Sequence, residues 1–260
     1  MKEQVYQHYS KEEAGFIDLV YSWIQQVENR YAPVLTGFLT PRQAMIVQQI
    51  VQGQDEVRLQ VQGGYETAER TRALLMPSYY QAQFEDFDLA LLKVKFPSKF
   101  AEISHGKILG TLIGAGIDRD RIGDIISDGH DWQVVVDQTI KNYLQTHVRK
   151  IGNVGVQLED LSFDQLLQSN EKWETVTIIS SSLRLDTLIS KVYNLSRQRA
   201  KDAVAGGLVK MNFVEMERAD AEVRVNDIVS LRKFGRFWIK SIDGMTKKDN
   251  YRLSVNVLER

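Results

Sequence analysis

From Asp88 to Leu158 the apolar residues switch between the two-residue period of a strand and the 3.6-residue period of a helix. Asp88 to Phe96 is a mostly apolar strand ended by Pro97. Ser104 caps a helix that runs through Leu112 and stops at Gly114 and Gly116. Ile122 to Ser127 and Trp132 to Val136 are strands joined by the polar turn Asp128-Gly129-His130-Asp131. Gln138 to Lys150 is a helix with Ile140, Tyr143, Leu144, His147 and Val148 on one side. Val154 to Leu158 is the closing strand.

The order strand, helix, strand, strand, helix, strand admits few sheet topologies, and the ferredoxin-like βαββαβ arrangement is the expected one. RNA-recognition motifs share this order, but their paired aromatics on the third strand are missing, and Trp132 by itself reads as a core residue. The expected fold class is therefore α+β, with this unit in the middle at residues 76–180. Before it, residues 1–75 form an N-terminal α+β unit. Phe16, Leu19, Val20, Trp23, Ile24 and Val27 predict a helix over 11–30. Thr40-Pro41 opens a second helix that stops near Gly53, and Val57 to Val61 alternates as a strand ending at Gly63-Gly64. Glu66 to Leu75 is expected to be a short helix closed by Pro77. A further strand, Thr175 to Ile179, leads to the third unit, residues 181–260.

In that third unit Leu185, Leu188, Ile189 and Val192 recur at helical spacing. Ser196 is an N-cap, Ala200, Ala203 and Val204 form the buried face of a second helix, and Gly206-Gly207 stops it. Leu208 to Val214 and Val223 to Leu231 alternate as a strand pair. Phe237 to Ile242 and Tyr251 to Val257 are two more strands, joined by the basic turn Lys247-Lys248-Asp249-Asn250.

Charge separates this third from the rest. The whole chain carries 33 basic and 34 acidic residues, yet residues 181–260 hold 16 and 10, and the preceding 180 hold 17 and 24. A net of +6 on the C-terminal third points to an anionic partner. From Arg184 to Lys201 the charged residues are Arg184, Lys191, Arg197, Arg199 and Lys201 against Asp186. Arg197 and Lys201 are four apart and share a helix face. Arg197 and Arg199 stand in the first turn, where the helix dipole disfavours a cation by about 0.3–1 kcal/mol. A bound phosphate would supply the missing compensation, because free N–H groups and arginine forks can converge on one anion. Both Arg197 and Lys201 lie off the apolar face, so their removal is expected to leave folding nearly unchanged. Lys210, Arg232, Lys233, Arg236, Lys247 and Lys248 are further candidate RNA contacts.

These residues carry a resemblance. Leu183-Arg184-Leu185-Asp186, Ser196-Arg197-Gln198-Arg199-Ala200-Lys201, Gly207-Leu-Val-Lys-Met-Asn212 and Asn226-Asp227-Ile-Val-Ser-Leu-Arg232 resemble the S-four RNA-binding domain over about 50 residues. The resemblance implies that the two helices pack together and face structured RNA. Arg184, Arg197, Arg199 and Lys201 would then be phosphate contacts, and Asp186 would orient an arginine. Where that family has Asn-Gly and Gly-Asp, this chain has Asn212-Phe213 and Asn226-Asp227. The chain as a whole is similar to the YlmH family, through Gly63-Gly-Tyr-Glu-Thr-Ala-Glu-Arg70, His105 to Asp118, Ile122-Gly-Asp-Ile125 and Gly235-Arg-Phe-Trp-Ile-Lys240. That resemblance implies a non-enzymatic, RNA-binding role at the ribosome, with ribosomal RNA or tRNA as ligand and the large subunit as partner. Related small S-four proteins act on stalled large subunits, and the family is associated with cell-division gene clusters.

Other functional classes leave marks in a sequence. No cysteine is present, which excludes disulfides, thiol nucleophiles and Cys-ligated metals. No apolar run reaches the ~18 residues of a membrane helix, and the polar start Met1 to His8 does not look like a secretory signal, so the expectation is a cytoplasmic protein with no membrane partner. A pseudouridine synthase would need a catalytic aspartate after Gly-Arg-Leu, and the single Arg-Leu-Asp, at 184–186, belongs to the S-four resemblance. Gly110, Gly114 and Gly116 follow a helix and lack dinucleotide-binding spacing. Asp128, His130 and Asp131 read as a polar turn, and His105 has no nucleophile or paired carboxylate beside it. No catalytic residue, metal ligand or cofactor is expected. An RNA-modifying enzyme with an S-four appendage and a cell-division adaptor remain the alternatives.

Overall fold

The computed structural model describes residues 13–98, 101–167 and 173–259. The expected helix start at 11–12 and His8 lie outside them. The chain divides into two compact units, residues 1–170 and 171–260.

The first unit begins with α1 (Ala14–Arg30), which buries Ile17, Val20, Ile24 and Val27 at helical spacing. β1 (Val34–Leu39) follows. α2 (Pro41–Val51) is started by a reciprocal cap: Gln43 N donates to Thr40 Oγ1 (3.2 Å) and Thr40 N to Gln43 Oε1 (2.8 Å). Both helices pack on one face of an antiparallel sheet of order β1-β3-β2, with β2 (Val57–Gln62) and β3 (Thr71–Pro77). Here the structure corrects the sequence reading. Residues 71–75 belong to the central strand of this sheet, not to a helix over 66–75. Ala73 and Leu75 face the helices, while Leu74 and Met76 pack with Phe87 on the other face. A strand buried on both faces is a continuous apolar run, and periodicity does not separate such a run from a buried helix.

β4 (Leu89–Lys95), α3 (His105–Gly114), β5 (Ile122–Ser127), β6 (Trp132–Asp137), α4 (Lys141–His147) and β9 (Gln157–Leu161) occur in the expected order. A two-residue hairpin, β7 (Lys150–Ile151) with β8 (Val154–Gly155), precedes β9. The sheet order is β5-β6-β4-β9, with every neighbour antiparallel. α3 and α4 cover one face through Ile108, Leu112 and Leu144 on Leu92, Val94, Val134 and Val136; Trp132 packs against the same cluster. The other face is covered too. Leu91, Ile126 and Val135 pack with Phe38 of β1, Tyr65, and Phe163, Leu166 and Leu167 beyond β9. Gln133 ties that last segment down: its Nε2 donates to Gln165 O (2.9 Å), and Leu167 N donates to its Oε1 (2.8 Å).

Two of the stretches quoted above meet in this joint. Asp124 of β5 accepts from Tyr65 Oη (2.8 Å), Glu69 N (2.8 Å) and Arg70 N (3.1 Å). Arg70 in turn donates to Ile122 O (3.1 Å) and Phe38 O (2.9 Å). The approach is so close that a Cβ on Gly123 would fall 2.7 Å from the Phe38 ring, and one on Gly64 (φ 96°) 2.3 Å from Phe163.

The second unit is a six-stranded sheet of order β10-β15-β14-β13-β11-β12. Its strands are β10 (Glu174–Ser180), β11 (Val209–Met211), β12 (Val214–Glu215), β13 (Ile228–Leu231), β14 (Gly235–Met245) and β15 (Tyr251–Glu259). β10 pairs with β15 in unbroken register, so this sheet takes in the chain from Glu174 onward. α5 (Leu185–Val192) and α6 (Arg197–Ala205) pack on it through Leu185, Leu188, Ile189, Ala200 and Val204. The expected strand 208–214 is shorter and folds back on itself. Asn212 (φ 49°) and Phe213 (φ 67°) make a two-residue turn between Met211 and Val214. Both residues of such a turn need positive φ, which Asn tolerates and Phe does not. Asn212 is held by Asp227, whose Oδ1 accepts from its Nδ2 (2.8 Å), and by Ile228 N, which donates to its Oδ1 (3.0 Å). Phe213→Gly is therefore expected to stabilise this unit by about 1–2 kcal/mol. Chemical denaturation should show the midpoint rising; a lower midpoint would mean that Phe213 contributes more by packing than its backbone costs.

Candidate nucleic-acid interface

α5 starts at Arg184, an extended N-cap residue without a side-chain cap of its own. Two residues on, Asp186 enters the first turn with no solvent exposure. Its carboxylate is bracketed by two guanidinium groups. Arg184 donates from Nε to Oδ1 (3.1 Å) and from Nη2 to Oδ2 (2.9 Å). Arg197, the first residue of α6, donates from Nη2 to Oδ1 (3.3 Å) and Oδ2 (3.2 Å). Thr187 Oγ1 adds a third donor at 3.1 Å. Burial by itself would raise the Asp186 carboxyl; the hydrogen bonds from Arg184, Thr187 and Arg197, with the charge of Arg197, outweigh it and hold the group down to about 2. The arginine side chains stay 40% and 53% exposed, so both present cationic surface while their inner edges are fixed.

This arrangement corrects one expectation. The cost of a cation in the first turn of α6 is met for Arg197 within the chain, by Asp186, and does not require a phosphate. Arg197 is also part of the packing between the two helices, so its removal does not leave folding untouched. Arg199 and Lys201 differ. Both are exposed on α6, which is capped by Ser196 Oγ accepting from Arg199 N (3.2 Å), and among the described residues neither is ion-paired.

Of the other candidate cations, Lys191 lies on the helix pair and the rest do not. Lys210 alternates with the buried Val209 and stands opposite Glu215 and Ser230. Arg236 alternates with the buried Phe237 and stands opposite Ser230 and Leu258. Lys210 and Arg236 thus share the sheet face away from the helices. Lys191, in the last turn of α5, and Arg232 and Lys233, between β13 and β14, are exposed. Lys247 and Lys248 lie in the turn beyond Met245, at the far end of the eleven-residue β14, about 30 Å along the strand from Lys233. Among the described residues no group of three or more His, Asp or Glu could hold a metal ion, and no helix is long and apolar enough to cross a membrane.

Comparison with known proteins adds independent findings. A family model described as "YlmH, N-terminal" matches residues 12–80, and one described as "Putative RNA-binding domain in YlmH" matches residues 82–165. The chain is 35% identical over 250 residues to the "Ribosome-associated protein quality control protein P2" of Bacillus subtilis (strain 168), covering 96% of this chain and 97% of that protein. Among solved structures, "Cell division protein ylmH from Streptococcus pneumoniae" is 34% identical with a TM-score of 0.55, covering 62% of this chain and 98% of that one.

Proposed function

Because this chain belongs to the YlmH family, we propose that it is a non-enzymatic RNA-binding protein that grips structured ribosomal RNA or tRNA through the α5–α6 pair. We take residues from about 174 onward as an S-four-type domain and residues 89–161 as a ferredoxin-like unit. The proposed setting is the cytoplasm, on the large ribosomal subunit during quality control of stalled translation. The observation that carries the proposal is the clamp on Asp186. It holds Arg184 and Arg197 at fixed orientation on the helix pair that also carries the exposed Arg199 and Lys201, and a pre-oriented guanidinium loses less entropy when it binds phosphate. The Bacillus relative, by its name, is associated with the ribosome, which favours the same reading.

The family model that names an RNA-binding domain matches residues 82–165, so the middle unit is a second candidate for RNA contact. The sheet face that RNA-recognition motifs offer to bases is filled here by Phe38, Tyr65 and Phe163, which leaves other surfaces of that unit for it. Asp186 lends no support to a pseudouridine-synthase reading. A catalytic carboxylate must reach substrate, and this one is fully buried between two arginines.

The test is Arg199→Ala with Lys201→Ala in the full chain. Both side chains are solvent-exposed, so stability should stay within about 0.5 kcal/mol. Affinity for a structured RNA should fall similarly across sequences, and the log–log salt slope should lose about one unit per cation. Co-sedimentation with the large subunit should weaken in parallel. An unchanged slope and unchanged sedimentation would remove this helix from the interface.

A further inference from the structure

We propose that the loop between β13 and β14 holds a stacking site for one unpaired nucleobase, with Phe234 as its platform; this rests on the RNA-binding reading and adds a contact that reads bases to one that reads phosphates. The loop is Arg232-Lys233-Phe234, and Phe234 is 37% exposed. It is not a loose residue at the edge of the core. Phe234 N donates to Leu231 O (3.0 Å), and Arg232 N donates to Leu208 O (2.9 Å), which pins both ends of the loop. Lys233 takes a left-handed conformation (φ 75°), uncommon for a residue with a side chain.

The Phe234 ring is supported from beneath. Its centroid lies 5.5 Å from that of Tyr193, at the C-terminal end of α5, with the planes inclined by 54°. Tyr193 lies 5.9 Å from the fully buried Phe237. The three rings form a file running from the core to the surface, so the outermost ring is held in place by the packing of the inner two.

The surroundings suit a nucleotide better than an apolar protein surface. Arg232 and Lys233, directly before Phe234, are exposed, and among the described residues neither is ion-paired. An apolar partner would have to desolvate both cations. A nucleotide offers a π-face to the ring and phosphates to the cations, which is how aromatic and basic residues combine in single-strand recognition. A fully paired duplex keeps its bases stacked on each other and offers no face, so the site selects loops, bulges and ends.

The experiment uses the full chain and two RNAs of equal length and charge: a hairpin with an unpaired loop, carrying 2-aminopurine at each loop position in turn, and a fully paired duplex. The expected result is quenching of the 2-aminopurine at one loop position when the wild-type protein binds. Phe234→Leu should lose that quenching and bind the hairpin roughly ten-fold more weakly, with duplex binding and the salt slope unchanged. Phe234→Trp should keep both affinity and quenching, and it decides the matter if the leucine variant unfolds. Hairpin binding by the wild type with no quenching at any position, or equal weakening of both RNAs by Phe234→Leu, overturns the stacking site and leaves the phosphate grip standing. Binding of neither RNA by the wild type overturns both. Separately, Arg199→Ala with Lys201→Ala should lower the salt slope for hairpin and duplex alike.

Discussion

Replacing Arg184 and Arg197 together by alanine is expected to destabilise the C-terminal unit by about 1–3 kcal/mol, the cost of leaving a carboxylate without its donors, reduced from that of a fully buried pair because both arginines are partly solvated. Asp186 has no exposure and draws four charged hydrogen bonds from these two side chains. Either single substitution leaves one guanidinium in place and should cost far less, the more so because both arginines are partly solvated. Adding Asp186→Leu to the double variant should recover much of the loss, since no buried charge then remains. Denaturation followed by circular dichroism would test the series. A double variant as stable as the wild type would show that water reaches Asp186 readily. The pH dependence carries the same information. The carboxyl is held down to about 2 in the folded state, below its ordinary value near 4. Its contribution is therefore present above about pH 4 and lost as the pH falls toward 2. The double variant lacks this acid-side loss, because without its cations the buried carboxyl takes up a proton readily.

In the first unit the largest effect is expected from Asp124→Ala. Two backbone N–H groups, of Glu69 and Arg70, and the Tyr65 hydroxyl would lose their acceptor together. A partly buried donor left unsatisfied costs about 1–3 kcal/mol, so a total of about 2–4 kcal/mol is expected after partial relaxation. Asp124→Asn, which keeps one acceptor oxygen, should lose about half as much. Thermal unfolding gives the magnitude, and hydrogen exchange at the Glu69 and Arg70 amides gives the location. Faster exchange confined to these amides, with the cores around Ile108 and Ile46 still protected, is the expected pattern. Unaltered exchange would mean that packing of Phe38 against the middle sheet holds the joint without the carboxylate.

The elements whose cause is local were legible in the chain. Thr40, Ser104 and Ser196 cap the helices they were expected to cap, because a cap is a contact between residues three apart. The alternation from Asp88 to Leu158 likewise marked the order of β4, α3, β5, β6, α4 and β9, since each period belongs to one element. The net charge of the last third and the concentration of cations from Arg184 to Lys201 needed only counting. What stayed hidden depends on partners distant in sequence. Residues 71–77 are a strand because β1 and β2 pair with them on either side, and the same apolar run would suit a buried helix. The middle sheet is covered on both faces because Phe38, Tyr65 and Phe163 come from outside its own elements. Arg197 could be seen to share a helix face with Lys201, but only the packing of α5 against α6 decided that it bonds a buried Asp186 eleven residues earlier, which separates a structural cation from a free one. Local sequence sets a residue's secondary structure through hydrogen bonds and period within one or two turns; whether its charge is paired or available is set by which element the tertiary fold brings beside it.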